Sequence, residues 1–288
     1  MTVLLREPET LEEAVGILTA DPGARLVAGG VTVCLQITHR RSDPSALVLL
    51  RRVPGLSGVT VLGDGTLEIG ALTTHGELAA DPELSARHPR LTELFSDVGN
   101  VRVRAAGTIG GNLANADPAQ DPAVLLAVIG AEAHTVSPRG ERTVPIAGLS
   151  AGAWRSTLAA DEVIRRVRVP RLPPTSRTGW SKIQSGSLDD YATVNAGVRM
   201  DLGADGTIAS VRAVVGAAVA SPRVFDIPAL AGSHPGDTLA LKACAREATA
   251  DLETVTDHRG SADYRRHLAG VALGRALTRC LDDDRRPA

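Results

Sequence analysis

The segment Ala106-Gly-Thr-Ile-Gly-Gly-Asn-Leu-Ala-Asn-Ala-Asp-Pro-Ala-Gln-Asp121 contains three glycines, two asparagines, two aspartates and one threonine, and almost no bulk. Glycine lets a backbone approach a ligand closely and aim several N–H groups one way. Thr108, Asn112 and Asn115 add short hydrogen-bonding side chains. Asp121 can cap the helix that follows or accept from sugar hydroxyls. This composition suits phosphate and ribose. A second stretch, Ala28-Gly29-Gly30-Val31-Thr32-Val33, follows the apolar run ARLV and could also hold a pyrophosphate on backbone N–H groups. A lone Gly-Gly is usually a tight turn. Two such loops, one running into NLANADPAQD, point to a ligand. Neither matches the G-x-G-x-x-G spacing of a Rossmann site or the Lys-Ser/Thr of a P-loop.

Working outward, TVLL (2–5), ARLV (24–27) and ALVLL (46–50) read as strands. Thr10 and Glu13, then Thr74 and Glu77, are spaced as capping boxes, each side chain accepting from the other residue's backbone N–H. VTVLGDGTLEIG (59–70) reads as a hairpin with Asp64-Gly65 at its tip. Asp121-Pro122 opens a helix as N-cap and first residue. Strands follow near 131–136 and 141–145, and the Pro-rich stretch 168–177 reads as a domain boundary. ATVNAGVRMDL and TIASVRAVVGAAV flank the Gly203–Gly206 turn as an antiparallel pair. Helices near 237–252 and 261–281 finish the chain, the last with a stripe of Leu268, Val271, Ala272, Leu277 and Leu281. The pattern is α+β in two unequal domains, 1–175 and 176–288.

The 288 residues are 43% hydrophobic with a net charge of -2, enough for a sizeable core and too neutral for a dedicated nucleic-acid binder. Only 2% are aromatic, which argues against stacked-ring platforms for single strands. Cys34, Cys244 and Cys280 lie far apart, so an iron–sulfur cluster or zinc site on this chain alone is not expected. They read as buried small hydrophobes in a reducing compartment. No signal peptide and no apolar run long enough to cross a bilayer is evident, so a cytoplasmic location is expected. The seven histidines pair with no nucleophile at a diagnostic spacing, so no catalytic or metal residue is assigned. Tyr264 reads as packing in the last helix, and the Asp282–Arg286 run as a solvated tail.

AGTIGGNLANADPAQD resembles the signature of the FAD-binding subunits of molybdenum hydroxylases, such as the medium subunit of carbon monoxide dehydrogenase and the flavin domain of xanthine dehydrogenase. AGGVTV resembles that family's first glycine loop, KIQSGSLDDYATVNAGV (182–198) its Lys…Asp-Tyr-Ala segment, and DHRGSADYRRHLAGVALGRAL (257–277) its C-terminal helix. The resemblance implies an FAD-binding domain of the vanillyl-alcohol-oxidase (PCMH) type, followed by a small antiparallel sheet with helices. It implies non-covalent FAD. Ala28 to Val33 and Thr108 to Asn112, with Gly110 and Gly111, would hold the pyrophosphate. Asn115 and Asp121 would meet ribityl or ribose hydroxyls, Tyr191 would lie near the isoalloxazine and Lys182 near the flavin's polar edge. Arg104 matches an Arg that commonly precedes the signature. The chain departs from the pattern at the apolar Val31 and Val33, at Ala106, and at Gly186, where many relatives place an Arg.

The function implied is electron transfer within a complex. A molybdopterin-binding large subunit would oxidise the substrate, and a 2Fe-2S small subunit would relay electrons to FAD on this chain and on to NAD or a quinone. No side-chain acid or base need act here. The departures motivate an alternative, a stand-alone FAD-dependent dehydrogenase or oxidase acting on a small or carrier-bound metabolite. A non-enzymatic flavin- or nucleotide-binding scaffold is a third reading.

Overall fold

The computed structural model describes residues 3–187 and 189–282. Its first elements are β1 (Leu4–Arg6), α1 (Leu11–Ala20), β2 (Arg25–Val27), α2 (Val31–Thr38), β3 (Ala46–Leu49), β4 (Val59–Val61) and β5 (Leu67–Gly70). Then come α3 (His75–Ala80), α4 (Pro82–Arg87), α5 (Pro89–Ser96), α6 (Val101–Ala106), α7 (Ile109–Asn115) and α8 (Pro122–Val128). Next are β6 (Glu132–Ser137), β7 (Gly140–Pro145), β8 (Ser150–Gly152), β9 (Arg155–Ser156) and β10 (Val163–Val169). The last are β11 (Ser176–Ile183), β12 (Val194–Leu202), β13 (Ile208–Gly216), β14 (Arg223–Asp226), α9 (Thr238–Ala248) and α10 (Ala262–Arg279). The chain forms two compact units. One runs through Ala116 and takes in Ala131–Ala151 and Arg155–Pro170; the other holds Asp117–Gly130, Gly152–Trp154 and the chain from Arg171. The division therefore does not fall at a single point in the sequence.

The first unit contains a parallel sheet, β1-β3-β2, and an antiparallel sheet, β4-β5-β10-β6-β7. Helix α1 buries Leu11, Ala14, Val15 and Leu18 against β3, each burial of a Val or Leu contributing about 1.5–3 kcal/mol. The β4–β5 hairpin turns at Gly65, whose φ of +84° only glycine adopts readily. Thr74 and Glu77 form the reciprocal capping box at α3. At α1 the pattern differs. Thr10 accepts from the N–H of Glu13, but the Glu13 carboxylate accepts from the N–H of Glu9, one residue earlier than the box requires.

In the second unit, β11-β12-β13-β14 is antiparallel throughout, with α8 packed on β12 and β13 and α10 on β11 and β12. Gly206, at φ +78°, makes the turn between β12 and β13. Helix α10 buries Ala269, Ala272, Leu273, Ala276 and Leu277, while Leu268, Val271 and Leu281 of the expected stripe are only half-buried. The alanine face won because the helix lies very close to the sheet: a Cβ built on Gly179 of β11 would fall 2.0 Å from the carbonyl oxygen of Ala276.

Two further expectations are corrected. Only Cys280 is buried; Cys34 is exposed on α2, no residue of which is fully buried, and Cys244 is half-buried, packed against the core of the second unit. Tyr264 is 51% exposed, in the first turn of α10, rather than packed. Of the expected tail, residues 283–286 lie outside the described residues.

Candidate cofactor-binding site

The turn before α2 is shorter than expected. Strand β2 ends at Val27, and Gly30 at φ +76° reverses the chain into the helix. Val31, Thr32 and Val33 are thus the first turn of a helix and not a loop. The first helical hydrogen bond runs from the N–H of Cys34 to the Gly30 carbonyl, 2.9 Å. Glycine brings no capping side chain, and no described residue accepts from the N–H groups of Val31, Thr32 or Val33. No residue of α2 is fully buried. An uncapped helix N-terminus with three converging donors carries partial positive charge and suits a diphosphate.

The turn before α7 is built the other way. Thr108 caps the helix, its Oγ1 accepting from the N–H of Gly111 at 3.2 Å. The N–H of Ile109 donates to Thr73 O (3.0 Å), that of Gly110 to Ala71 O (2.9 Å) and that of Asn112 to Thr108 O (2.9 Å). Within the stretch Thr108 to Asn112, expected to hold the pyrophosphate, the backbone donors of Ile109 to Asn112 are therefore already taken up by the protein itself. Gly110 is glycine for packing: a Cβ there would lie 2.6 Å from the Cβ of Ala71. What this turn offers a ligand is side chains. The Thr108 hydroxyl can donate, and the Asn112 Oδ1 is buried without a partner among the described residues. Asn115 is the last residue of α7, ahead of Ala116 at φ +48°.

The two turns touch. A Cβ on Gly29 would lie 1.6 Å from the carbonyl oxygen of Ala106, and one on Gly111 would meet the Ala28 Cβ at 3.4 Å. The His75 backbone N–H donates to Gly107 O at 2.9 Å, and its ring stacks on Phe95 with centroids 5.6 Å apart. A Cβ on Gly107 would sit 3.0 Å from that ring. Burial pushes the His75 imidazole down to about 4, and its Nδ1 has no partner among the described residues. Arg104 on α6 donates to the carbonyls of Val98 and Gly99, which ties down the turn entering that helix. The close approach at Gly29, the open donors of α2 and the orphaned Asn112 oxygen fit the diphosphate and sugar of FAD.

In the second unit, Asp121 stands at the N-cap position of α8 but makes no cap bond. Pro122, the first helical residue, has no N–H, and a buried ammonium is a stronger partner. The carboxylate accepts from Lys182 Nζ at 2.9 Å and Asn195 Nδ2 at 2.8 Å, and all three side chains are almost wholly buried. Lys182 is thus a buried partner of Asp121. Tyr191 is 47% exposed, with the Arg259 guanidinium 5.3 Å from its ring centroid, a cation–π contact. Desolvation and the carboxylates of Asp117, Asp121 and Asp190 push its phenol up, against Arg259. Asn195, Arg259 and His75 escaped the sequence reading. An asparagine in the apolar run of β12 was the one legible signal, since a fully buried amide needs partners.

Residues 3–172 match the model for the FAD binding domain in molybdopterin dehydrogenase, and residues 182–280 that for the CO dehydrogenase flavoprotein C-terminal domain. The chain is 34% identical to the carbon monoxide dehydrogenase medium chain of Hydrogenophaga pseudoflava, over 94% of each chain. It is 29% identical to the xanthine dehydrogenase FAD-binding subunit of Escherichia coli O157:H7, over 90% of this chain and 89% of that one. The solved carbon monoxide dehydrogenase of H. pseudoflava superposes with a TM-score of 0.90 over 98% of each chain, at 30% identity. With the glycine turns, the flavin-domain match and the C-terminal match in order along its length, this chain belongs to the family of FAD-binding medium subunits of the molybdenum hydroxylases.

Proposed function

We propose that the chain is the FAD-carrying electron-transfer subunit of a molybdenum hydroxylase-type dehydrogenase. Its partners would be a molybdopterin-binding large subunit and a 2Fe-2S small subunit, and its acceptor NAD or a quinone. The observation that carries this reading is that both of the family's domains lie in order along a chain whose three cysteines are too scattered to hold a cluster. We assign the flavin domain to 1–175 and the C-terminal domain to 176–288. No helix among the described residues is long and apolar enough to cross a membrane, and three free thiols suit the cytoplasm we propose.

Bound non-covalently, FAD would supply an electron carrier that accepts reducing equivalents from one partner and releases them to another. The chain's own work is binding and orientation. Ala28, Gly29 and Gly30 bring the backbone close, and the N–H groups of Val31, Thr32 and Val33 meet the diphosphate. Thr108 and Asn112 add side-chain hydrogen bonds, while Gly110 and Gly111 let α7 pack tightly enough to present them. Arg104 holds the approach to that turn. Asn115 and Asp121 would serve sugar or ribityl hydroxyls. The Asp121–Lys182 pair also fixes β11 against α8, and Tyr191 offers an aromatic face to the isoalloxazine.

The test is direct. The purified chain mixed with FAD is expected to retain a yellow flavin spectrum through gel filtration and, when co-expressed, to purify with molybdopterin and iron–sulfur subunits. A colourless chain overturns the reading. Turnover of a small metabolite by the isolated flavoprotein would replace it with the stand-alone enzyme.

A further inference from the structure

The sheet of the second unit ends on β14, and no strand lies beyond it among the described residues. Its outer row of N–H and C=O groups is a template for one more strand. Beside it opens a groove of about 820 Å³, floored by Phe225, Ile227, Ala248 and Leu252. Four exposed carboxylates stand around this groove: Asp226, Glu247, Asp251 and Glu253. None has an ion-pair partner among the described residues, although Glu68, Glu141, Asp161 and Glu162 in the first unit each hold an arginine. Arg223 is the one basic residue of the lining. Helix α9 ends at Ala248, so the carbonyls of its last turn add partial negative charge at the same place. An unpaired strand edge, an apolar floor and an uncompensated negative rim therefore coincide.

We propose that β14 and this groove dock an extended, arginine- or lysine-bearing segment of another polypeptide. The segment pairs along β14 as a fifth strand, so its backbone supplies the hydrogen bonds. Side chains alternate along a strand. The set that faces the groove carries the cations, their aliphatic stems lying over Phe225 and Leu252 and their charged heads meeting Glu247, Asp251 and Glu253, while the other set faces away from it. The carboxylates select the sign of the partner and steer its approach. This inference is independent of the flavin reading, because none of these residues belongs to the glycine turns.

The probe is a blocked peptide of alternating arginine and threonine, titrated into the full flavin-loaded chain and followed by fluorescence anisotropy and amide exchange. Binding is expected to slow exchange at Val224–Asp226. It is expected to weaken about tenfold in E247Q/D251N/E253Q and to fall with added salt. The charge-swapped variant E247K/D251K/E253K is expected to bind the corresponding glutamate–threonine peptide instead, which shows that the variants fold. Equal binding to wild type and the neutral variant, or binding without protection of β14, overturns the proposal. So does protection of β14 in a dimer without peptide, since a second copy then fills the edge.

Discussion

At the turn before α2, Gly30 leaves the N–H groups of three residues without acceptors among the described residues, whereas at the turn before α7, Thr108 and the carbonyls of Ala71, Thr73 and Thr108 take up four. Both turns are glycine-rich and touch at Gly29 and Ala106. Glycine at the first turn supplies a left-handed reversal and an open helix end. At the second it makes room for packing. Glycine content alone does not identify a phosphate site; what separates the two is where the neighbouring backbone donors go.

The largest effect is expected where the turns meet. Gly29→Ala would set a Cβ against a backbone carbonyl that has no flexible end to swing away, so both turns must separate. We expect a loss of about 3 kcal/mol or more in stability and loss of bound FAD, read from the urea midpoint and the flavin absorbance. Gly16→Ala in α1 is the control. A Cβ there meets nothing, and the change is expected to gain up to about 1 kcal/mol. If Gly29→Ala behaves like Gly16→Ala, the turns are not in contact.

The next effect separates the turns by pH. Only the α7 turn rests on a titratable ring. Burial holds His75 down to about 4 in the fold, against an ordinary value of 6.5. As pH falls below 6.5 the unfolded chain binds this proton first, so stability is full above that value and drains away down to about 4. The loss amounts to about 3 kcal/mol. His88, also pushed down to about 4 by burial, adds a second proton to the slope. His75→Gln is expected to remove one of the two and to make FAD affinity less acid-sensitive. An unchanged slope would mean that His75 does not support the turn.

How much of this was legible follows the same division. The Asp64-Gly65 and Gly203–Gly206 turns and the Thr74/Glu77 box were readable because each is decided by residues within one turn of chain. The starts of α2 and α7 were not. Val31-Thr-Val reads as the end of a glycine loop, since β-branched residues give little helix signal, and Ile-Gly-Gly is a poor helix former. Those helices start where they do because Gly30 reverses the chain and because Thr73 and Ala71 hold the first N–H groups from elsewhere in the unit. Asp121 looked like a cap for the same reason. Its partners, Lys182 and Asn195, are far off in sequence, and a buried ammonium outcompetes a local N–H.

A smaller effect tests the open end of α2 alone. Val31→Pro removes one backbone donor at the first helical position; because Gly30 holds ψ at −10°, where a following proline ring crowds its backbone nitrogen, the variant is also expected to lose stability. FAD affinity is expected to fall about tenfold, or about 1.4 kcal/mol, when measured under conditions where the variant is fully folded. An unchanged affinity would place the diphosphate elsewhere.

The smallest effect belongs to Thr108, and it inverts the pattern at Val31. Its oxygen closes α7 by accepting from Gly111, so Thr108→Ala is expected to cost about 1 kcal/mol of stability. The hydroxyl proton remains for a ligand, so some affinity is lost too, but less than at Val31, because one side-chain donor is removed while the donors of α2 stay in place. Thr108→Ser keeps both the cap and the proton and is expected to restore both measurements. Stability falling at Thr108 with affinity nearly kept, and affinity of the folded protein falling at Val31, is the outcome that distinguishes a packing turn from a binding turn. If Thr108→Ala loses more FAD affinity than Val31→Pro, the two roles are exchanged and the diphosphate belongs to α7.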